Sequence, residues 1–254
     1  MLPAERKRKI VEIVSENDGC SVEELADTFG FSKATLRRDL SELEAEGMIE
    51  RSHGGAVPVT TVGREQTYDQ REVQNLDAKT AIAERAVEEI REGQVVFFDS
   101  GTSTMEVAKR APTDGSFLPV TNSPVLALEL GQDDNEVKLT GGTFRQRTRA
   151  LVGPSAEDFM DRMNFDLLFV GTNGLDVDGG LTTPNEDEAR VKERMIERAQ
   201  RVVLVADETK LGERSFVQFA DLADVDHFVT DATLSAAEWD AFESAGVEVT
   251  SEVA

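Results

Sequence analysis

The sequence predicts an α/β protein with two domains, a small helical domain followed by a larger one built on a mostly parallel sheet. Up to residue 57, apolar residues recur at helical spacing between helix-capping signals. After residue 77, short apolar runs alternate with amphipathic stretches, a pattern typical of parallel strands that are buried on both faces and joined by helices. We therefore predict domains at residues 1–57 and 77–254. Residues 58–76 begin with proline, lack an apolar period and are predicted to form a linker.

The small domain begins with two predicted helices. The first covers residues 4–17 and turns three aliphatic residues inward. The second begins at a capping box, in which Ser21 and Glu24 satisfy each other's free backbone N–H groups. Gly30 supplies the left-handed residue that ends the second helix. Only a short turn then separates it from the next predicted helix, and two short helices joined in this way are typical of a helix-turn-helix.

The third predicted helix runs from Ser32, as its N-cap, to Glu46. Leu36, Leu40 and Leu43 form one apolar stripe for packing. Arginine matches a guanine edge or a phosphate, and a small residue allows close approach of the helix to DNA, so the remaining faces suit a major groove. These faces carry Ala34, Thr35, Arg37, Arg38 and Ser41.

A short strand and a glycine turn are predicted to follow this helix, over residues 48–51 and 52–55. A helix followed by such a hairpin is the arrangement of a winged DNA-binding domain. The alternative is an ordinary amphipathic surface helix that contacts only water. Because the preceding helix and turn complete a helix-turn-helix, we favour the DNA-binding interpretation over this alternative.

The larger domain is predicted to alternate between buried strands and helices. Predicted strands are 95–98, 117–120, 136–139, 165–170, 202–205 and 227–229, and predicted helices include 124–130, 155–163, 185–200 and 236–244. Ligands of such sheets bind beyond the carboxyl ends of the strands. Asp99–Thr104 follows one strand there, and its glycine and hydroxyl groups at a helix start suit a phosphate, although a capped turn that binds nothing is equally consistent. The three arginines at 145, 147 and 149 are a second candidate anion site, with solvated loop charge as the alternative.

Charge is distributed unevenly along the chain. Its net charge is −23, of which −4 falls on residues 1–57 and −19 on residues 58–254. The basic residues of the small domain cluster at 6–9, 33, 37, 38 and 51. Acid-rich composition with 19 arginines but 8 lysines resembles that of proteins from salt-in extreme halophiles, where salt screens repulsion between this protein and DNA.

The motifs along the chain resemble those of DeoR-type transcriptional regulators. In the small domain these are SKATLRRDL and SHGGAV, and in the larger one DSGTST, VTNS, LTGG, LVGP, GLTTPNEDEA and LVADETK, in the expected order. The resemblance implies a regulator of sugar metabolism, usually a repressor. It also implies a sensor domain related in fold to ribose-5-phosphate isomerases and glucosamine-6-phosphate deaminases, which responds to a phosphorylated sugar. Ser103 replaces the threonine that is usual in the family and keeps the hydroxyl.

Groove chemistry and resemblance together give two sets of candidate residues. The DNA-binding candidates are Ser32, Lys33, Ala34, Thr35, Arg37, Arg38, Ser41, Arg51, His53 and Gly54. The effector-binding candidates, implied by the resemblance, are Asp99, Ser100, Gly101, Thr102, Ser103, Thr104, Asn122, Gly141, Gly142 and Lys210. Asp99 would repel a phosphate, so we assign it to a sugar hydroxyl or to ordering the loop.

We predict a DNA-binding transcriptional regulator, with double-stranded operator DNA and a phosphorylated sugar as its ligands. We expect a homo-oligomer, a dimer or tetramer, in the cytoplasm, without a membrane segment, cofactor, metal or catalytic residues. One cysteine and two histidines are too few for a typical zinc site. The main alternative is a sugar-phosphate isomerase or deaminase with a fused DNA-binding domain, although residues 189–194 offer a lysine where the catalytic carboxylate would be placed. A purely architectural DNA-binding protein leaves the large α/β domain unexplained.

Overall fold

The structure is a computed structural model that describes residues 3–17, 19–45, 48–52, 54–57, 65–133 and 135–253. It divides into two compact units, residues 1–75 and 76–254. No helix in these described ranges is long and apolar enough to cross a membrane. The last residue of the predicted third helix, Glu46, the following Gly47 and residues 58–64 lie outside the described part of the chain.

The first unit contains three helices around a small antiparallel sheet. Its elements are α1 (Pro3–Glu16), β1 (Cys20–Ser21), α2 (Val22–Phe29), α3 (Lys33–Ala45), β2 (Glu50–Ser52) and β3 (Gly55–Val57). The strands are ordered β1-β3-β2. Leu36, Leu40 and Leu43 are buried in one core with Ile10 and Leu25, so the predicted leucine stripe is the packing face of α3. The helix-turn-helix and its hairpin are therefore confirmed.

Part of the predicted linker is helical. A short helix, α4 (Tyr68–Val73), begins at a capping box in which Thr67 and Gln70 bond each other's backbone N–H groups, at 2.7 and 3.3 Å. A helix of six residues is too short to show an apolar period, which is why the sequence pattern did not predict it. Its capping box is the signal that could have revealed it.

The second unit is built on a parallel sheet with the strand order β15-β14-β12-β9-β4-β5-β6. Its strands are β4 (Val95–Phe98), β5 (Leu118–Thr121), β6 (Lys138–Leu139), β9 (Leu167–Val170), β12 (Val202–Val205), β14 (His227–Val229) and β15 (Glu248–Thr250). The helices are α5 (Leu76–Ala86), α6 (Thr102–Ala108), α7 (Pro124–Leu130), α8 (Pro154–Met160), α9 (Glu186–Arg198) and α10 (Ala236–Ala245). The predicted α/β class and its parallel sheet are confirmed.

Alternate strand residues enter two separate cores, one on each face of this sheet. Phe97 and Leu168 pack with apolar residues of α8, α9 and α10. Phe98 and Phe169 pack with α5, α6 and α7. Burial on both faces explains why these strands read as continuous apolar runs in the sequence.

Smaller antiparallel elements accompany the main sheet. They are the hairpin of β7 (Thr143–Arg145) and β8 (Ala150–Val152), and the sheet β10-β11-β13 formed by β10 (Gly174–Asp176), β11 (Gly180–Thr183) and β13 (Val217–Ala220). These strands and β15 were not predicted from the sequence. They are three or four residues long, which is too short for an alternating pattern to identify them.

The strand order reverses direction at β4. The chain continues from β4 to β5 and β6 on one side, and then crosses to β9 on the other. Crevices at such a switch point, beyond the carboxyl ends of the strands, are the usual ligand sites of open α/β sheets. This position is occupied by Asp99 after β4 and by Gly171 after β9.

Candidate DNA-binding surface and effector site

Helix α3 presents a polar face away from its buried leucines. Ser32, Lys33, Ala34, Arg37, Arg38 and Ser41 are exposed, and Thr35 is half-buried. Ser32 caps the helix as predicted, because its hydroxyl accepts the Thr35 backbone N–H at 3.2 Å. Gly30 ends α2 in the left-handed conformation, with φ of 68°. The turn between α2 and α3 therefore fixes the direction in which the two arginines project.

A buried ion pair joins α1 to the inner face of α3. Arg6 Nε and Nη2 donate to the two carboxylate oxygens of Asp39 at 2.6 and 3.1 Å, and both side chains are buried. The Arg6 guanidinium also lies 4.5 Å from the centre of the Phe31 ring. Arg6 belongs to the basic run of residues 6–9, but the ion pair holds it inside the domain. The positive charge of Arg6 therefore does not contribute to the exposed basic surface.

Arg51 connects the hairpin to the recognition helix. Its Nη1 donates to the Arg37 carbonyl at 3.4 Å and to Ser41 Oγ at 3.2 Å, while Nε donates to the Gly55 carbonyl at 3.3 Å. Ser41 in turn donates its own proton to the Arg37 carbonyl at 2.9 Å. These two candidate DNA-binding residues therefore brace the hairpin against α3, and Ser41 can offer DNA only an acceptor.

The turn of the hairpin depends on its glycines. Gly54 has a φ of 87°, and its carbonyl accepts the Val22 backbone N–H at 2.8 Å, which ties the turn to the start of α2. A Cβ at Gly55 would lie 2.2 Å from the Cys20 carbonyl oxygen, so this position requires glycine. His53, the remaining hairpin candidate, lies outside the described residues.

Acidic neighbours accompany several basic side chains of the small domain. Lys33 pairs with Glu23, and Lys7 pairs with Glu42 at 2.8 Å. Arg38 Nε lies 3.8 Å from Glu42, with side-chain exposures of 71% and 48%. Exposed pairs of this kind contribute little stability, about 0–1 kcal/mol, so Arg38 can exchange Glu42 for a phosphate or a base.

A second buried ion pair occupies the switch point of the large sheet. Lys192 Nζ, from α9, donates to Asp99 Oδ2 at 2.5 Å and to the Gly171 carbonyl at 2.8 Å. Asp99 Oδ2 also accepts the Gly171 backbone N–H at 3.2 Å. Asp99 and Lys192 are both buried. The pair thus ties the ends of β4 and β9 to α9 at the place where a ligand is expected.

The loop after β4 differs in its exposure from residue to residue. Ser100 and Thr102 are buried, whereas Gly101 and Ser103 are partly exposed. The Thr104 hydroxyl lies within donating distance of the Asp99 and Gly101 carbonyls, at 2.6 and 2.8 Å, so it stabilises the loop rather than facing a ligand. The Thr104 hydroxyl therefore has no free proton to donate to an effector, and the predicted effector-binding role of this residue has no support from its contacts.

The other effector candidates are spread along the same edge of the sheet. Asn122 directly follows β5, is buried, and lies at the strand end next to the one that Asp99 follows. Gly141 and Gly142 follow β6, one strand further, and are exposed with φ of 74° and 109°. Lys210 lies on the opposite side, after β12, and its Nζ contacts Thr209 Oγ1 at 3.0 Å. Asp99 and Asn122 are thus the candidates that the strand register places side by side.

The predicted arginine cluster is not a simple anion site. Arg145 donates to Glu188 in the first turn of α9 at 2.5 Å, and Thr148 also bonds Glu188. Arg149 takes a positive φ of 56°, and its carbonyl accepts from Ser123 Oγ at 3.1 Å. The alternation of arginines in the sequence gave no sign of the carboxylate that pairs with one of them.

Lys192 is the residue of this site that the sequence analysis left without a role in ligand binding. It was noted only as a lysine in the position expected for an isomerase carboxylate. A signal was present, because Glu188, Lys192 and Met195 follow the spacing of one helix face and all are buried. A lysine on the apolar side of a helix requires a buried partner, and here that partner is Asp99.

Comparison with known proteins covers nearly the whole chain. Residues 6–62 match the family described as DeoR-like helix-turn-helix domain, and residues 74–232 match the DeoR C terminal sensor domain. The HTH-type transcriptional regulator GlpR of Haloferax volcanii is 70% identical over 254 residues, 100% of both chains. The glycerol-3-phosphate regulon repressor of Escherichia coli is 33% identical over 233 residues, 91% of this chain and 92% of that one.

Similar solved structures include two proteins of other kinds. A ribose 5-phosphate isomerase from Methanocaldococcus jannaschii aligns with a TM-score of 0.40 and 16% identity, over 54% of this chain and 55% of that one. The eIF2B delta subunit of Chaetomium thermophilum aligns with a TM-score of 0.45 and 14% identity, over 63% and 57%.

Proposed function

This chain belongs to the DeoR family of DNA-binding transcriptional regulators, and we propose that it represses genes of sugar metabolism under the control of a phosphorylated sugar. Its relatives are transcriptional regulators and repressors, so the chain is a regulator rather than the isomerase or deaminase considered as an alternative. The acid-rich composition and the likeness to a Haloferax protein support the proposal that it works at high salt.

The observation that supports the DNA-binding proposal is that α3 has one buried apolar face and one exposed basic face. Its leucines are buried, while Arg37 and Arg38 project from the exposed side of a helix whose start is fixed by Ser32. The second helix of a helix-turn-helix lies in the major groove and reaches base edges from its N-terminal residues. Both arginines lie in the first two turns of α3, where those contacts are made.

We expect Arg38→Ala to remove specific operator binding and Arg37→Ala to weaken it. Loss of one bidentate contact to a base costs about 1–3 kcal/mol, which is about a tenfold to hundredfold loss of affinity. The measurement is a titration of the protein's own upstream DNA at fixed salt, because phosphate contacts are salt-dependent. Arg162→Ala, which removes an exposed arginine of the second unit, is the matched control. Wild-type affinity of Arg38→Ala would refute the groove assignment.

The sensor role is proposed for the carboxyl edge of the parallel sheet. Support comes from its switch-point location, from the buried hydroxyls of Ser100 and Thr102, and from the sensor-domain family. The name of the Escherichia coli relative points to a phosphorylated three-carbon polyol as the type of signal. To act as a signal, the sugar phosphate must bind one of two states of the protein more tightly, since equal affinity for both changes nothing.

We expect Thr102→Val combined with Lys210→Ala to keep operator binding and lose the response to the sugar phosphate. The substitutions remove a hydroxyl donor and a cation from the proposed site, while the first unit is untouched. The measurement is operator affinity with and without glycerol 3-phosphate and hexose phosphates. The control is Thr233→Val with Lys138→Ala, which changes the same residue types at exposed positions. A double variant that still responds fully would exclude these residues from the site.

We also propose that the chain is a dimer or tetramer assembled through the second unit. One short recognition helix contacts too few bases for specificity within a genome, and two-fold pairing doubles the site. Light scattering of the free protein and of its operator complex tests this proposal. A single protomer in both samples would refute it.

A further inference from the structure

Two buried oxygen atoms at the carboxyl edge of the parallel sheet lack a hydrogen-bond donor among the described residues. They are Oδ1 of Asp99 and Oδ1 of Asn122. The two residues are 1% and 2% exposed. Buried polar atoms in folded proteins are nearly always hydrogen-bonded, so two open acceptors at one place require an explanation.

The strand register places Asp99 and Asn122 at the ends of two neighbouring strands. Asp99 directly follows Phe98, Asn122 directly follows Thr121, and Phe98 and Thr121 are paired across β4 and β5. Two positions before each acceptor, β4 and β5 contribute to the core formed with α8 and α9. Because alternate residues share a face and neighbouring strands are about 4.8 Å apart, both acceptors fall within the span of one small molecule.

Neighbouring groups hold both side chains in place. Lys192 Nζ and the Gly171 N–H occupy the other carboxylate oxygen of Asp99, at 2.5 and 3.2 Å. The amide Nδ2 of Asn122 donates to the Leu151 carbonyl at 3.4 Å, so its Oδ1 points the other way. Both side chains are therefore restrained, and a loosely held side chain is not the reason that either oxygen lacks a donor. We name these two oxygens the acceptor pair.

The acceptor pair selects for a particular part of a ligand. An ionised phosphate supplies hydrogen-bond acceptors and negative charge, and neither oxygen of the pair has a proton to donate to it. An ammonium group supplies donors but brings positive charge next to Lys192, which repels it. Hydroxyl groups supply neutral O–H donors, and two are needed. We propose that the acceptor pair is a diol-recognition site, which binds two neighbouring hydroxyl groups of the effector while the phosphate lies elsewhere. This inference rests on the proposed sensor function.

The test compares ligands that lack one or both of two neighbouring hydroxyl groups. Calorimetry on the full chain would use glycerol 3-phosphate, fructose 1-phosphate and glucose 6-phosphate, each against analogues that lack one hydroxyl. n-Propyl phosphate, which lacks both hydroxyls of glycerol 3-phosphate, gives the effect of losing the whole diol. We expect loss of either of two neighbouring hydroxyls to weaken binding about 10- to 100-fold, because an acceptor stays open. If the deoxy analogues bind as tightly as their parents, the diol site is refuted and the sensor proposal stands. If none of the phosphates binds, both are refuted.

Asn122→Leu tests the site by changing the protein instead of the ligand. The leucine is close in size and removes the open acceptor, but it also removes the Nδ2 donor to the Leu151 carbonyl. The ligand-free melting temperature is therefore expected to fall moderately and serves only as a check of folding, and the decision rests on ligand discrimination. With ligand, the variant should no longer distinguish the parent from the analogue that lacks the matching hydroxyl, whereas Gln132→Leu, at an exposed amide, should distinguish them fully. Full discrimination by Asn122→Leu would overturn the proposal. If this variant does not fold, the analogue series decides alone.

Discussion

Lys192→Ala is expected to destabilise the second unit by about 3–5 kcal/mol, because it leaves the Asp99 carboxylate buried without its cation. Few single substitutions exceed this range. The protein offers a local probe, since its single tryptophan, Trp239, lies in the second unit. Urea unfolding followed by tryptophan fluorescence should therefore show a lower midpoint for this variant.

Two further variants test whether the effect of Lys192→Ala comes from the unpaired charge of Asp99. Arg194→Ala removes a partly exposed cation from the same helix, and we expect a change below about 0.5 kcal/mol. Lys192→Met combined with Asp99→Asn removes both charges and should recover much of the lost stability, because the cost comes from an unpaired charge. A destabilisation of the double variant as large as that of Lys192→Ala would show that packing, not charge, holds this helix.

Asp39→Ala is expected to destabilise the first unit by about 3 kcal/mol and to abolish operator binding. The substitution leaves Arg6 buried without its carboxylate and unties α1 from α3. A domain this small has little stability to lose. Hydrogen exchange across α1 and α3 should accelerate, while the fluorescence transition of Trp239 should stay unchanged.

The Asp39 experiment separates folding from DNA contact. Arg38→Ala should lose operator affinity with normal hydrogen exchange, whereas Asp39→Ala should lose both. Asp27→Ala, at an exposed position of α2, is the control for loss of an acidic residue in this domain. Normal exchange in Asp39→Ala would mean that the ion pair does not support the helix-turn-helix.

Local patterns in the sequence predicted the parts of this fold that depend on neighbouring residues. These parts are the leucine stripe of α3, the Ser21 capping box and the apolar strands. Each depends on residues that are close in the sequence, so spacing and residue type were sufficient to predict it. Resemblance placed Asp99 and Asn122 in the site. Their roles as ligand-binding residues stay predictions.

Contacts between distant residues could not be predicted in this way. Arg6 and Asp39 are 33 positions apart, and Lys192 and Asp99 are 93 apart, so no local pattern shows that each charge has a partner. The short strands β7, β8, β10 and β11 have three or four residues each, so their own pattern is too short to show that a neighbouring strand pairs with them. Tertiary structure decided these features.

The central position of β4 also sets the time course of folding. Val95, its first residue, bonds Asp166, which lies 71 positions later, so the sheet cannot close until β9 has been synthesised. Parallel pairing over such distances is slow, whereas the strand pairing of the first unit spans fewer residues, since Cys20 pairs with Ala56. At ribosomal rates of about 5–20 residues per second, synthesis from β3 to β12 takes roughly seven to thirty seconds. During that interval each nascent chain carries a folded DNA reader that has not yet acquired its sensor.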